Sequence, residues 1–167
     1  LGTAVTHDDL ISGTGTVTKT GAGSLNLTAN NTFTSEMLAL DGPMTLGGGN
    51  GSTPAGRNTL RVMAGAAVTP TAANQLGNET GANGLTKLAI DGGAFLATDY
   101  NHVNEITMQG GLIGSRGGVA QVDGMDMRPY TNPTPRLPTI TTLAAPTSAA
   151  IRSMVKLNAE TTIDVAD

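Results

Sequence analysis

The sequence predicts an all-β fold in which short strands stack as the coils of a parallel β-helix, with about six or seven coils. Two observations carry the prediction: an apolar pattern recurs along the chain, and the composition suits a thin core. Glycine accounts for 23 of 167 residues, and aromatic residues make up only 2%. Such a core has to be built from aliphatic side chains, which stacked coils supply as continuous columns.

The recurring pattern places two apolar residues before a corner and further apolar residues after it. Its copies begin at Leu38, Leu60, Leu88, Ile106 and Val155. Repeats with such spacing and with strand alternation are typical of β-helix coils. Aligning the copies predicts three apolar columns: Leu38, Leu60, Leu88, Ile106 and Val155; Leu40, Val62, Ile90, Met108 and Leu157; and Leu46, Val68, Leu96 and Ile163, the last interrupted by Gly114.

Strand alternation is clearest in residues 10–34, where Val17, Leu25 and Leu27 alternate with polar residues between glycines. This stretch resembles the passenger-associated β-strand repeat of bacterial autotransporters. The matching positions are Gly13, Gly15, Val17, Thr18, Lys19, Gly21, Gly23, Leu25, Leu27, Asn31, Thr32, Phe33 and Thr34. Ser35 and Glu36 depart from the pattern, since the family usually has a glycine pair there. The resemblance implies a right-handed parallel β-helix exported to the bacterial cell surface, and hence an extracellular location. It implies no activity, because such repeats occur in adhesins, enzymes and stalks.

The chain divides into three predicted segments. Residues 1–122 are predicted to form the coils, including the repeat at 10–34. Residues 123–150 are predicted to form a proline-rich arm or insertion, because proline cannot donate to a sheet ladder; a linker between two subdomains is the alternative. Residues 151–167 are predicted to form a final strand or coil. The chain begins without an initiator methionine and ends in a strand-like segment, so we expect a processed or truncated piece of a longer protein.

Composition excludes several classes of function. The net charge of −4 and nine scattered Lys and Arg residues argue against a nucleic-acid partner. The absence of cysteine excludes disulfides and thiol chemistry. No apolar run approaches the length of a membrane helix, so no transmembrane segment is expected. No cofactor motif is recognisable, and no cofactor is expected.

Two acidic residues, Asp41 and Asp91, each precede a glycine and are predicted to share one register position. Two coils apart, their carboxylates would lie about 10 Å from each other, near the separation used by inverting glycosidases. Asp-Gly is also ordinary corner chemistry, in which Asp bonds the backbone and Gly takes a positive φ. We favour the corner interpretation and keep both residues as candidate glycan contacts.

The two histidines give weaker signals. His102 lies near Asp99, Tyr100 and Glu105 in the sequence, a set that could serve acid–base catalysis. The His-Asp-Asp sequence at residues 7–9 could hold a divalent ion. Surface residues are the alternative for both, and we favour it. His102 is kept as a third candidate glycan contact, and no residue is assigned as catalytic or metal-binding.

The proline-rich segment carries the most distinctive exposed features of the sequence, and a plain surface loop is the alternative for it. Its candidates for subunit or partner contact are Arg128, Pro129, Tyr130, Asn132 and Arg136.

The function expected from these observations is structural or adhesive, without catalysis: a stalk, a filament subunit or a passenger fragment at a bacterial cell surface. Its expected partners are further copies of itself or other surface proteins, and polysaccharide. The alternatives are a fragment of a β-helical polysaccharide-degrading enzyme and a β-helix of a phage tail or capsid decoration.

Overall fold

The computed structural model describes residues 2–48, 58–76, 87–116, 124–129 and 137–166. Over these ranges the chain forms seventeen short strands and no helix. The strands are β1 Ala4–His7, β2 Val17–Lys19, β3 Ser24–Leu27, β4 Glu36–Ala39, β5 Gly42–Leu46, β6 Thr59–Met63, β7 Ala66–Pro70, β8 Lys87–Asp91, β9 Ala94–Ala97, β10 Tyr100–Val103, β11 Glu105–Met108, β12 Gly111–Ser115, β13 Gly124–Met127, β14 Thr139–Thr142, β15 Ala149–Arg152, β16 Met154–Leu157 and β17 Thr162–Val165.

The strands form three parallel sheets. Sheet A has the order β1-β3-β5-β7-β9-β12-β15, sheet B the order β2-β4-β6-β8-β11-β14-β17, and sheet C the order β10-β13-β16. The chain alternates between sheets A and B, and from β10 onward it adds a strand of sheet C between leaving A and entering B. Each time the chain re-enters a sheet, its new strand pairs with the strand of the previous coil in that sheet. The prediction of an all-β fold with long parallel sheets is confirmed.

One apolar column runs through each long sheet, because parallel pairing in register places like side chains side by side. The column of sheet A consists of Val5, Leu25, Met44, Val68, Phe95, Ile113 and Ile151. The column of sheet B consists of Val17, Met37, Leu60, Leu88, Ile106, Ile140 and Ile163. The central members of both columns are fully buried and belong to one hydrophobic core.

Part of the predicted alignment is confirmed. Leu60, Leu88 and Ile106 share a column, and Val62, Ile90 and Met108 share the next inward position. The prediction is wrong at Leu38, which pairs with Arg61, while Met37 pairs with Leu60. The same one-residue error puts Ala39, rather than Leu40, beside Val62. A slip of one residue moves a side chain to the other face of a strand, so Met37 and Ala39 fill the core while Leu40 is exposed.

The predicted columns fail again near the carboxyl end. Val155 and Leu157 lie in sheet C, paired with Met125 and Met127. Their predicted places beside Ile106 and Met108 in sheet B are taken by Ile140 and Thr142.

The third predicted column is also out of register. Val68 pairs with Met44 and Phe95 rather than with Leu46 and Leu96, and Ile163 lies in sheet B. Gly114 pairs with Leu96 as aligned.

The corner from sheet B to sheet A explains the slip. A glycine with positive φ turns the chain there in successive coils, as at Gly42 (φ 70°) and Gly92 (φ 81°). Left-handed backbone is accessible to glycine at little cost. Gly42 stands three residues beyond Ala39, whereas Gly92 stands two residues beyond Ile90. Aligning the two glycines therefore misplaces the strands before them by one residue.

The two kinds of passage between the long sheets differ in length. From sheet B to sheet A, successive column residues are seven or eight positions apart in the first five passages, and eleven apart from Ile140 to Ile151. From sheet A to sheet B, the separation ranges from 11 positions (Phe95 to Ile106) to 27 positions (Ile113 to Ile140). Sheet C falls within these longer passages, as do residues 49–57, 77–86, 117–123 and 130–136, which lie outside the described ranges.

In the first coils the passage from sheet A to sheet B is also hydrogen-bonded to its neighbour. The amides of Thr28, Thr32 and Thr34 donate to the carbonyl oxygens of His7, Ile11 and Gly13 over 2.9–3.1 Å. The backbone ladder therefore extends to this third side where sheet C has no strand. Residues 7–13 and 28–34 keep the same relative register as β1 and β3.

The repeat-like segment 10–34 places its polar signature residues inside the structure. Asn31 is buried and its Oδ1 accepts a hydrogen bond from the Ile11 amide at 2.8 Å. Lys19 is buried, and its Nζ donates to the carbonyl oxygens of Gly21 and Asp41. Phe33 is buried in the hydrophobic core. These residues therefore have structural roles.

The sheets continue through the boundary predicted at residue 123. β13 is the central strand of sheet C, and β14 lies between β11 and β17 in sheet B. Residues 123–150, predicted as a proline-rich arm or insertion without sheet pairing, thus contain strands inside two sheets, and Pro129 and Pro138 flank those strands. The intervening prolines 133 and 135 lie outside the described residues.

Candidate functional site

The outer face of sheet C holds a cluster built on one carboxylate. Asp126 on β13 is 1% exposed, and both Nε and Nη2 of Arg128 donate to its Oδ2 at 3.1 and 2.9 Å. Asn158, which follows β16, donates from Nδ2 to Oδ1. Nε2 of His102 on β10 lies 3.1 Å from Oδ2, an ion pair when the imidazole is protonated. We call these four residues the carboxylate cluster.

Strand register assembles the carboxylate cluster. His102 pairs with Asp126 across β10 and β13, and Arg128 lies two residues beyond Asp126, which returns it to the same side of the chain. The Tyr100 ring stacks on His102 with a centroid distance of 5.6 Å. A buried carboxylate is costly unless it is paired and hydrogen-bonded, and both oxygens of Asp126 are engaged. The arrangement therefore joins three successive coils.

The structure brings together two of the residues singled out from the sequence, His102 and Arg128. Arg128 is also fixed by its main chain: its amide donates to Val103 O at 3.2 Å, and its carbonyl accepts from Asn104 Nδ2 at 3.0 Å. Pro129 follows and is exposed. The other predicted contact residues, Tyr130, Asn132 and Arg136, lie outside the described residues.

The acidic neighbours expected around His102 have other contacts. Glu105 lies on sheet B, and its Oε1 is 2.7 Å from Nζ of Lys87. Asp99 accepts a hydrogen bond from the Tyr100 amide at 2.8 Å. The partner that the sequence analysis missed is Asp126, which lies a full coil further along the chain than His102. The Gly-Met-Asp-Met alternation of residues 124–127 is the available signal, since it is typical of a strand with Asp126 on the outer side.

The prediction that Asp41 and Asp91 share one register position is wrong. Asp91 pairs in register with Met63, while Asp41 stands one position further along its coil, because the two corners place glycine differently. Asp41 Oδ1 accepts a hydrogen bond from the Gly42 amide at 2.7 Å, which is the corner chemistry expected of it.

Asp91 belongs to a chain of ion pairs on the outer face of sheet B. Arg61 lies between two acids, with Nη1 at 2.5 Å from Asp91 Oδ2 and Nε at 2.7 Å from Glu36 Oε1. The hydrogen bonds to Asp91 and Glu36 raise the pKa of Arg61 above its ordinary value, so the guanidinium stays charged. This site cross-links β4, β6 and β8.

The described residues contain no group of three or more His, Cys, Asp or Glu side chains placed to hold a metal ion. Within the same ranges no helix has the length and apolarity needed to cross a membrane.

The remaining candidate site consists of the two open edges of the sheets. We define the lower edge as β1, β2 and the residues 8–16 between them, and the upper edge as β15, β16 and β17. Val5 is 55% exposed at the lower edge, and Ile163 is 61% exposed at the upper edge. Leu10, Leu157 and Val165 are exposed beside them. Unpaired N–H and C=O groups of an edge strand are a template for strand addition.

Each edge also opens onto a cavity. A cavity of about 320 Å³ at the lower edge is lined by Val5, Lys19 and Leu25 among others. One of about 330 Å³ at the upper edge is lined by Thr142, Leu143 and Val165 among others. Only the lower cavity contacts members of an apolar column, Val5 and Leu25.

Comparisons of the chain with protein-family models, with curated proteins and with solved structures found no match. The autotransporter resemblance of residues 10–34 therefore remains a prediction.

Proposed function

We propose that the protein is a structural element of a bacterial cell surface, a right-handed parallel β-helix that serves as a stalk, a filament unit or a passenger fragment. The observation that carries this proposal is the stacking of the two long sheets, in which each strand pairs with the strand of the previous coil and packs its apolar residues into one continuous core. Stacked coils of this kind contact only their neighbours and form extended, stiff structures.

The topology supports the helical part of the proposal. The chain visits sheets A and B in turn, every named strand pairing is parallel, and the amides of residues 28–34 extend the ladder to the third side. Parallel strands joined by crossovers are right-handed in nearly all proteins. The repeat-like segment, with Lys19, Asn31 and Phe33 buried in structural roles, supports the cell-surface part.

The clusters of polar residues support a mechanical role. Asp126 contacts His102 through Oδ2 and Asn158 through Oδ1, and Arg61 contacts acids on both neighbouring strands, so these contacts join successive coils. These interactions hold successive strands together, as a rod under tension requires. Asp41, Asp91 and His102 stay candidates for glycan contact in an adhesive variant of this function.

The experiment is size-exclusion chromatography with light scattering across a hundredfold range of concentration, followed by negative-stain microscopy of the same sample. We expect a ladder of species that grows with concentration, and unbranched rods. A monomer at every concentration would overturn the filament form of the proposal. Binding of that monomer to a polysaccharide array would then favour the adhesive variant.

A further inference from the structure

We propose that the corner between β4 and β5 is a self-modifying site, at which Asp41 converts to isoaspartate through a succinimide and Lys19 promotes the reaction. The corner consists of Asp41 and Gly42, and Lys19 on β2 contacts it from the preceding coil. The reaction needs only this chain and water, so it is independent of the function proposed above.

The carboxyl group of Asp41 lies against the amide that attacks it. Its Oδ1 accepts a hydrogen bond from the Gly42 amide at 2.7 Å. The same amide donates to Gly65 O in the next coil at 3.0 Å, which fixes the Gly42 nitrogen in place. Asp41 is exposed, so water reaches the carboxyl group. Two reacting groups held together in this way meet the main requirement of a fast intramolecular reaction.

Two glycines leave room for the reacting groups. A Cβ atom at Gly65 would lie 3.1 Å from Asp41 Oδ1, and one at Gly42 would lie 2.6 Å from Lys19 Nζ. Both glycines have positive φ, 95° at Gly65 and 70° at Gly42. Their missing side chains therefore let the carboxyl group turn toward the Gly42 nitrogen and let the ammonium of Lys19 approach the same peptide group.

Lys19 places a buried ammonium on the peptide group that has to lose a proton. The side chain is 6% exposed, and Nζ donates to the carbonyl oxygens of Asp41 and Gly21. Asp41 O belongs to the same peptide group as the Gly42 nitrogen, and resonance spreads the negative charge of the deprotonated amide onto that oxygen. A donor fixed in advance where charge develops stabilises that charge strongly when water is excluded. Lys19 therefore favours formation of the attacking nitrogen anion.

The reaction balances with water as its only other reactant. The Gly42 nitrogen loses its proton and bonds to Asp41 Cγ, and one oxygen of the protonated carboxyl group leaves as water with both protons. The product is a succinimide ring. Water then adds to the main-chain carbonyl carbon and breaks its bond to nitrogen, which leaves the chain linked through Cγ as isoaspartate. Addition of water at Cγ instead restores aspartate.

Asp91 is an internal control, because it also precedes a glycine. Its Oδ2 is held by Arg61 Nη1 at 2.5 Å. Ile90 before it pairs with Val62 of the preceding coil, whereas Ala39 before Asp41 pairs with Lys19. The corner at Asp91 therefore has an apolar side chain where the corner at Asp41 has an ammonium.

Asp99 is a second control, with the same amide contact before a larger residue. The amide of Tyr100 donates to Asp99 Oδ1 at 2.8 Å. The tyrosine side chain hinders closure of the succinimide ring. Asp99 therefore separates the effect of the hydrogen bond from the effects of glycine and the ammonium.

The experiment incubates the unmodified protein in warm neutral buffer and follows isoaspartate at each site by peptide mapping with electron-transfer fragmentation. We expect isoaspartate to form at Asp41 at least about tenfold faster than at Asp91 or Asp99, because a misplacement of about 1 Å slows such reactions by up to about 100-fold. In urea, where the chain is unfolded, Asp41 and Asp91 should react at similar rates, since both lie between an aliphatic residue and glycine.

Lys19→Met tests the role of the ammonium. The rate at Asp41 should fall at least about tenfold, in line with the loss of one preorganised donor, and the rates at Asp91 and Asp99 should not change. Lys87→Met is the matched control: it removes an ammonium that pairs with Glu105 on the outer face of sheet B, and it should leave the rate at Asp41 unchanged. Circular dichroism checks the fold of both variants.

Two results would overturn the proposal. If Asp41 reacts no faster than Asp91 in the folded protein, the corner is not a self-modifying site. If Lys19→Met folds and leaves the rate at Asp41 unchanged, Lys19 does not promote the reaction. The comparison of Asp41 with Asp91 uses the unmodified protein, so it decides the first point even if the variant does not fold.

Discussion

The inner coils and the edge coils of this protein contain the same kinds of residue in different surroundings. Leu88 and Ile106 in the middle of the sheet B column are fully buried, whereas Ile163 at the end of the same column is 61% exposed. The side chains are alike, and only the number of neighbouring strands differs. A neighbour on each side, rather than residue type, decides what a position contributes to stability.

This difference teaches how the fold is stabilised. Each inner coil buries its aliphatic column against two neighbours, and polar contacts between coils lie outside that column. The free energy of unfolding of such stacked proteins is close to the sum of two contributions, the intrinsic stabilities of the coils and the energies of the interfaces between neighbouring coils. An edge coil lacks the interface with one neighbour, so mutations in it should be mild.

The largest expected difference in unfolding free energy is between variants of two members of one column. Leu88→Ala should lower the free energy of unfolding by about 2–5 kcal/mol, because it opens a cavity in the core. Ile163→Ala should change it by no more than about 0.5 kcal/mol in dilute protein, since the side chain is mostly in water. Urea unfolding followed by circular dichroism measures both. Equal losses in the two variants would break the comparison and would mean that the upper edge is covered in solution.

The second comparison concerns two acids. Asp126→Ala should cost about 2–3 kcal/mol, because it leaves Arg128 and Asn158 without the carboxylate that accepts their hydrogen bonds. Asp164→Ala, on exposed β17, is the matched control and should be close to neutral. Thermal unfolding of both variants at neutral pH tests this. A neutral Asp126→Ala would show that the carboxylate cluster does not hold the coils of sheet C together.

The smallest expected effect concerns two arginines. Arg61→Gln removes two partly exposed ion pairs, which are worth about 0.2–1 kcal/mol each in such settings. The loss should shrink in 1 M NaCl, where these charges are screened. Arg152→Gln is the matched control on an exposed arginine and should leave the stability unchanged. Urea unfolding of both variants at two salt concentrations checks the two results.

Much of the fold could be predicted from strand periodicity, because regularly spaced aliphatic side chains are buried best when they pack against their counterparts in the next coil. The alignment of Leu60, Leu88 and Ile106 is correct on this basis. It fails at Leu38 because an Asp-Gly corner can place its glycine two or three residues after the last inward side chain. Glycine adopts a positive φ in both corner geometries, so the Asp-Gly dipeptide alone does not fix the register.

The carboxylate cluster could not be predicted from sequence spacing. His102, Asp126 and Asn158 lie on three successive coils, and their separations along the chain depend on how long each passage from sheet A to sheet B is. The prolines of residues 123–150 favoured a loop over a strand at Asp126. Pro129 and Pro138 flank the strands, where the missing N–H costs no ladder hydrogen bond.

The unequal passages between the two long sheets have an evolutionary consequence. The passages from sheet B to sheet A are tight corners in the first five cases, so an insertion there would disturb the glycine turn and the two strands that it joins. An insertion in a passage from sheet A to sheet B costs only loop closure, about 0.6 kcal/mol for each doubling of length. Insertions and deletions should therefore accumulate in one kind of passage, and a foreign peptide grafted after Ser115 should be accepted where the same peptide after Ala64 would not.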